Sequence, residues 1–296
     1  MKKTLFSLVA LLIAQSLAFS GMPIPQEIKK CVCFIFIPQA DGKSVPNGTG
    51  FFVSTEKPDK SLMNVYLVTA KHVLKPDPEK APFFPLIVLR LMKKEGGVES
   101  ISVPLVLHGE KQTIFVHDDE KVDLAVIPAL PSPDRYDFKT FPIPFVATTN
   151  DIAQLEIGEG SDVFFTGMFT PHLGKDQNYP VVRFGRVSLM SEELIHFMGE
   201  DRRLYLIETF SFGGNSGSPC FLHLGVDRKP GSISGGTVLR LFGVVSGTYQ
   251  KGFPIQEVPT ATQQMSLDNM GISAITPAQF LYDIIMRGEL EKRRGY

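Results

Sequence analysis

The sequence predicts an all-β protein, two six-stranded antiparallel β-barrels in series with one C-terminal α-helix. Three observations predict it. Twelve apolar runs of strand length are separated by clusters of glycine, proline and charge, the punctuation of an antiparallel β protein. They fall into two sets of six on either side of a proline-rich stretch, Pro131 to Pro144, which has few periodic apolar residues. Only after Pro277 does the apolar spacing become helical, with Phe280, Leu281, Ile284 and Ile285.

The first element is a targeting segment, residues 1–20. Lys2 and Lys3 give a positive start of bacterial type, and Leu5 to Leu17 are too short an apolar core to span a bilayer. Ala18-Phe19-Ser20 is a small-x-small cleavage signal, so the mature chain starts at Gly21 and is exported, to the periplasm or beyond the cell. The residue directly after the cleavage point is Gly21, not cysteine, which argues against a lipid anchor, and no later stretch has the length and apolarity to enter a membrane.

Residues 21–130 form the N-terminal barrel, from the runs Val32–Ile37, Gly50–Ser54, Val65–Thr69, Leu86–Leu91, Ile101–Leu107 and Val122–Ile127. Residues 131–160 connect the barrels. Residues 161–276 form the second, from Asp162–Met168, Val181–Ser188, Leu204–Thr209, Cys220–Leu222, Leu239–Ser246 and Gly271–Ile275. Residues 277–296 are the helix and tail, with Thr276 as N-cap and Pro277 at the first helical position.

Thirty basic against thirty-one acidic residues give a net charge of −1, which argues against a nucleic-acid partner or an anionic membrane. No cysteine and histidine cluster has zinc spacing, so no metal is expected, nor any organic cofactor. Three cysteines allow one disulfide at most. Cys31 and Cys33 stand two apart on a strand and do not readily bond each other. A bond from either to Cys220 and three free buried thiols both fit. Nothing in the sequence sets an oligomeric state.

The chemistry is concentrated in Gly213-Gly-Asn-Ser-Gly-Ser-Pro219. Glycines at 214 and 217 permit a tight, partly left-handed turn that aims the N–H groups of Gly214 and Ser216 at one point. Such converging donors stabilise the oxyanion that forms when a serine attacks a carbonyl. Serine is a weak nucleophile and needs a base. His72, in Tyr66-Leu-Val-Thr-Ala-Lys-His72-Val, follows a strand and is the candidate. The other five histidines, His108, His117, His172, His196 and His223, read as surface or satisfied residues. Asp123 interrupts the apolar run Val122–Ile127, where a buried carboxylate demands a partner. Asp118 and Asp119 compete with it, but they belong to a run that reads as a solvated loop.

Thr-Ala-Lys-His-Val, Val-Asp-Leu-Ala-Val and Gly-Asn-Ser-Gly-Ser-Pro, in that order, resemble the catalytic blocks of trypsin-like (chymotrypsin-fold) serine peptidases. With Gly48-Thr-Gly-Phe, they are most similar to the bacterial high-temperature-requirement (Deg-type) branch. The resemblance covers roughly Lys29 to Arg287. It implies hydrolysis of protein or peptide substrates by Ser216, His72 and Asp123, with no cofactor. The chain leaves no room for the PDZ module that many Deg-type proteins carry. Asn215 replaces the aspartate that digestive enzymes use for activation, and no basic site followed by Ile-Val-Gly-Gly is present, so no activating cut is implied. By the same resemblance the substrate pairs with Ser246 and Gly247. The specificity pocket has Phe210 as floor and Ser246, Gly247, Thr248 and Ile272 as walls, with no carboxylate, which implies cleavage after small apolar residues. A catalytically silent peptide-binding module and an exported serine esterase are the alternative functions.

Overall fold

The computed structural model describes residues 24–56, 63–76, 82–109, 112–129, 131–225, 238–254, 265–287 and 290. The targeting segment and Gly21 lie outside the described residues. Among the described residues, no helix is long and apolar enough to cross a membrane.

A short helix α1 (Glu27–Lys30) leads into β1 (Val32–Pro38), β2 (Ser44–Glu56), β3 (Met63–Thr69), β4 (Leu86–Met92), β5 (Val98–Pro104), β6 (Phe115–Val116), β7 (Ala125–Pro128) and β8 (Phe141–Pro142). They form one sheet in the order β5-β4-β1-β2-β3-β7-β6, with β8 parallel to β2. Its edge strands β5 and β6 are consecutive in the chain. Thr113 holds the connection between them, its hydroxyl accepting from Val106 N (2.8 Å) and donating to Pro104 O (2.7 Å). That turn is why the predicted run Ile101–Leu107 ends early as a strand.

Both faces of the central strands β1, β2, β3 and β7 are largely buried, which explains runs that are continuous rather than alternating. Side chains point to opposite faces along a strand. From β1, Cys33, Ile35 and Ile37 enter an inner core with Phe52, Leu67, Ile87 and Leu89. Val32 and Phe34 enter a second core, shared with the other half of the molecule.

That half begins with α2 (Thr149–Gln154), started by a capping box between Thr148 and Asp151. Then come β9 (Asp162–Gly167), β10 (Val181–Met190), β11 (Ile195–Phe197), β12 (Glu200–Arg202), β13 (Tyr205–Glu208), β14 (Pro219–Leu224), β15 (Val238–Pro254) and β16 (Met265–Pro277). Six of these close a barrel in the order β10-β13-β16-β15-β14-β9, while β11 and β12 make a separate hairpin. Phe165, Val187, Ile207, Cys220, Leu222, Phe242, Val245 and Ile275 fill the barrel. β15 and β16 outrun the predicted strands, pairing from Gly243 with Pro277 out to Pro254 with Met265.

Helix α3 (Ala278–Met286) follows at once. Its Leu281, Ile284 and Ile285 pack with Phe34, Phe51 and Val68 from the first sheet and Phe164, Phe221 and Val244 from the barrel. Each such side chain contributes about 1.5–3 kcal/mol when fully buried. This shared core fixes the two halves against each other, and the site draws residues from both. The helix stops at Met286, where Arg287 turns extended and donates to Val116 O at 3.1 Å. The predicted extension toward Arg294 lies largely outside the described residues.

The three cysteines are free and buried, one in each of three cores. Cys31 lies in the turn after α1, ahead of the strand, so it does not share a face with Cys33 as the sequence suggested. Burial pushes the Cys31 thiol up to about 12, and it raises those of Cys33 and Cys220 as well.

Candidate active site

The register of two strands brings the first two candidate residues together. β3 and β7 are antiparallel with Thr69 opposite Ala125, so the chain just after the one lies beside the chain just before the other. After β3, Ala70 is extended and Lys71–Leu74 make a 3-10 turn. Val73 and Leu74 are buried in the inner core, which anchors the turn and leaves His72 at its rim. Asp123 is not in β7 as the sequence suggested but just ahead of it, 2% exposed. Its place there is set by its partners. One carboxylate oxygen accepts from the His72 backbone N–H at 3.0 Å, and the other lies 2.7 Å from His72 Nδ1. With the Nδ1 proton given to Asp123, Nε2 is left as an acceptor.

The second partner of Asp123 was not foreseen. Arg202, in β12 and 4% exposed, places Nη1 3.1 Å from the carboxylate oxygen that faces His72, and its Nη2 is 3.2 Å from Glu200. The run Glu200-Asp-Arg-Arg reads as a solvated charge cluster, and no periodicity marks one member as buried. Burial alone would raise the Asp123 pKa, but His72 and Arg202 more than offset it and hold the carboxyl well below the usual range.

Ser216 comes from the other half. Gly214 and Gly217 have φ of +95° and +86°, the region open chiefly to glycine. A Cβ on Gly217 would also stand 2.0 Å from Thr49 O. Asn215 holds the turn from within, its Oδ1 accepting from Phe212 N (2.9 Å) and its Nδ2 donating to Met168 O (2.6 Å). The buried amide does structurally what no ion pair is present to do. Thr49 clamps the turn from the first sheet: its N–H donates to Ser216 O (2.8 Å) and its hydroxyl to Gly214 O (2.7 Å). Sequence reasoning gave Thr49 no role, although its place between Gly48 and Gly50 marks a close approach. Among the described residues, the N–H groups of Gly214 and Ser216 donate no hydrogen bond, and both are free for an incoming oxygen.

Among the described residues, Ser216 Oγ is not hydrogen-bonded to His72 in this structure. It donates to Ser246 O at 3.3 Å instead. Ser246 is itself buried, with its hydroxyl 2.9 Å from that of Thr276, which reaches Asp123 O at 3.4 Å.

The candidate pocket residues lie as follows. Phe210 is 56% exposed, with its ring at the surface. The segment alternates, with Thr209 and Ser211 turned inward on either side of it. Ser211 meets Ser273 Oγ at 2.9 Å and accepts from Asn269 Nδ2 at 2.7 Å. The inward position is therefore one residue later. Thr248 is paired with Ser273, and its hydroxyl is 3.0 Å from Ile272 O. Gly247 pairs with Ala274 and lies against Phe197, whose ring a Cβ there would meet at 3.0 Å.

A β-sheet carrying a His–Asp pair, packed on a closed barrel carrying a glycine-rich serine turn, defines a protein of the chymotrypsin-like class. The family model for the trypsin-like peptidase domain matches residues 48–226, more than half of the chain, with His72, Asp123 and Ser216 inside the match. The chain belongs to the trypsin-like peptidase domain family. Among solved structures it is similar to the MamO protease domain from Magnetospirillum magneticum (apo form), at 15% identity and a TM-score of 0.50, covering 87% of this chain and 96% of that one. At that identity the likeness is one of fold. A structure described as GrC aligns at 12% identity over 94% of this chain and 99% of that one, with a TM-score of 0.44. A search of curated protein sequences gave no significant match.

Proposed function

We propose that the protein is an exported serine endopeptidase that hydrolyses peptide bonds with Ser216, His72 and Asp123. The observation that carries this reading is the His72–Asp123 pair, with Nδ1 2.7 Å from the carboxylate, together with a serine turn whose two N–H groups donate no hydrogen bond among the described residues. In the reaction Ser216 Oγ leaves Ser246 O and turns to His72 Nε2. It attacks the carbonyl as His72 takes its proton, and Gly214 N–H and Ser216 N–H hold the oxyanion. Asp123 stabilises the imidazolium, which then protonates the leaving amine. Water repeats the sequence on the acyl-enzyme. Hydrogen bonds of this kind often tighten only when substrate binds.

The Ser216 bond to Ser246 O also favours a second reading, a binding module in which the serine is idle. A fluorophosphonate probe separates the two: labelling at Ser216 supports the enzyme, and an unlabelled folded protein supports the module. Comparing peptide and ester turnover then distinguishes endopeptidase from esterase. The absence of an activating cut and the periplasmic or extracellular location, as in the Deg-type branch, belong to the same proposal.

The pH dependence follows from the pair. Asp123 is held below the usual carboxylate range, so it stays ionised while histidine titrates. Activity is therefore lost as pH falls through a single ionisation within about pH 5 to 8, the histidine window. A rate flat across that window, or a limb that needs two protons, overturns the assignment of His72 as base.

Substrate is expected to lie extended along Ser246–Thr248 as an added strand. With Phe210 at the surface, the preference for a small apolar residue before the cut rests on Ile272 and on walls without a carboxylate. A buried Lys or Arg there would lack a counter-ion, which costs several kcal/mol. A peptide-library screen checks this, and dominant cleavage after Lys or Arg refutes it.

A further inference from the structure

Asp123 has a cation that the proposed mechanism does not use. Besides His72, among the described residues the cation in ion-pair contact with the buried carboxylate is the guanidinium of Arg202, 3.1 Å from Oδ2. The same oxygen is 2.7 Å from His72 Nδ1. One carboxylate oxygen thus faces two cations once His72 gains its proton, and the two compete for it.

Arg202 is brought to this position by its hairpin and acts on Asp123 by charge, since its Nη1 and Nε make no hydrogen bond among the described residues. The hairpin β11–β12 carries it, and that hairpin is docked on the strand beside the nucleophile. Phe197 packs on Tyr249 with ring centroids 5.0 Å apart, and Tyr249 Oη donates to His196 O at 2.9 Å. Glu200 takes the other end of the guanidinium at 3.2 Å. The charged and titratable groups around the cavity behind the pair are Lys71, Lys75, His117, Glu120, Lys121 and Glu200. Lys71 donates to Glu120 O at 2.9 Å, and its ammonium also interacts with Asp123 through charge at longer range.

We propose that Arg202 is a positioning residue that fixes Asp123 and, by opposing the charge on the imidazolium, sets the pH at which His72 becomes available as a base. Glu200 is its counterweight: it draws part of the guanidinium charge away from Asp123. The inference rests on the reading of His72 as base, but its sign can be measured without turnover. Removing the cation makes the imidazolium easier to form, so His72 then loses its proton at higher pH. Removing Glu200 leaves the cation stronger and moves the titration the other way. A residue that only packed the site would give no such pair of opposite signs.

The test is an NMR titration of the His72 ring in S216A, S216A/R202M, S216A/R202K and S216A/E200Q, each checked for folding by circular dichroism. R202M is expected to raise the His72 midpoint by about one pH unit, the scale for a neighbouring charge. R202K is expected to stay nearer to the parent, and E200Q to fall by roughly 0.3 unit. Glu200 is part-exposed, so E200Q keeps the question open to refutation even where R202M does not fold. Movement of R202M by less than about 0.3 unit overturns the proposal, as does an upward shift in E200Q or, where R202M is unfolded, no shift in E200Q. In the Ser216 protein the acid limb of kcat/KM is expected to move as the NMR midpoint does. Titration shifts in a protein without peptidase activity would refute the enzyme and leave Arg202's role standing. Activity without those shifts would refute Arg202's role alone.

Discussion

Replacing Ser216 with alanine is expected to lower kcat on peptides by on the order of 10⁶-fold, the scale of losing a nucleophile from a triad. The fold should survive. Ser216 Oγ makes one long hydrogen bond, to Ser246 O at 3.3 Å, and the turn is held by other atoms. Those are the Asn215 side chain, Thr49 N and Oγ1, and the bond from Gly217 N to Val245 O at 2.7 Å. None passes through the hydroxyl that is removed, so the change in stability should stay within about ±0.5 kcal/mol, as for an ordinary surface substitution. Kinetics and a denaturant melt on the same preparation check both parts. Turnover above a few per cent of wild type would show that Ser216 is not the nucleophile. A large loss of stability would show that the hydroxyl has a structural task that its one bond does not reveal.

The site was legible where chemistry is written in local sequence. Glycine at 214 and 217 announces positive φ, and a lone carboxylate in an apolar run announces a buried partner. The order of His72, Asp123 and Ser216 then needed only a fold that brings them together, and the β3–β7 register supplies half of it. Arg202 was illegible because its burial depends on the hairpin docking on Tyr249, a contact between distant segments with no periodic trace. The direction of Phe210 was illegible for a related reason. Counting back from Ser216 finds a position along the chain, but the inward direction in an extended segment alternates residue by residue. A shift of one exchanges Phe210 for Ser211. Small elements such as β6, β8, β11 and β12 are two or three residues long, too short for a hydrophobic period to show. Asp123 shows the opposite case, since its ion pairs, rather than strand propensity, end the ladder before Ala125.

Asp123→Asn should give a different phenotype from Ser216→Ala, because it breaks two partnerships at once. Asparagine keeps the shape, but where it presents its amide to Nδ1 it no longer accepts that proton. The imidazole then settles in the other tautomer, with the proton on Nε2, and has no lone pair for the serine. Loss of the orienting acid in this way costs about 10⁴-fold in kcat. The second loss falls on Arg202, which is buried and loses the carboxylate 3.1 Å away. Breaking a buried pair from one side costs about 3–5 kcal/mol. Glu200, still 3.2 Å from Nη2, should keep the observed value toward the low end. The variant is therefore expected to be both inactive and less stable than Ser216→Ala, and the difference should depend on pH in a definite direction. The Asp123 pKa is lower folded than unfolded, so its contribution is fully present above the ordinary carboxylate value of about 3.9. It is lost only as pH falls through the depressed value. The part of the gap between wild type and Asp123→Asn that comes from Asp123's own ionisation should thus persist from neutral pH down to about pH 5 and be lost in stronger acid. Denaturant midpoints for the two proteins at several pH values measure it. A variant as stable as wild type at neutral pH would mean that Arg202 does not depend on Asp123, and activity within tenfold of wild type would mean that another group orients His72.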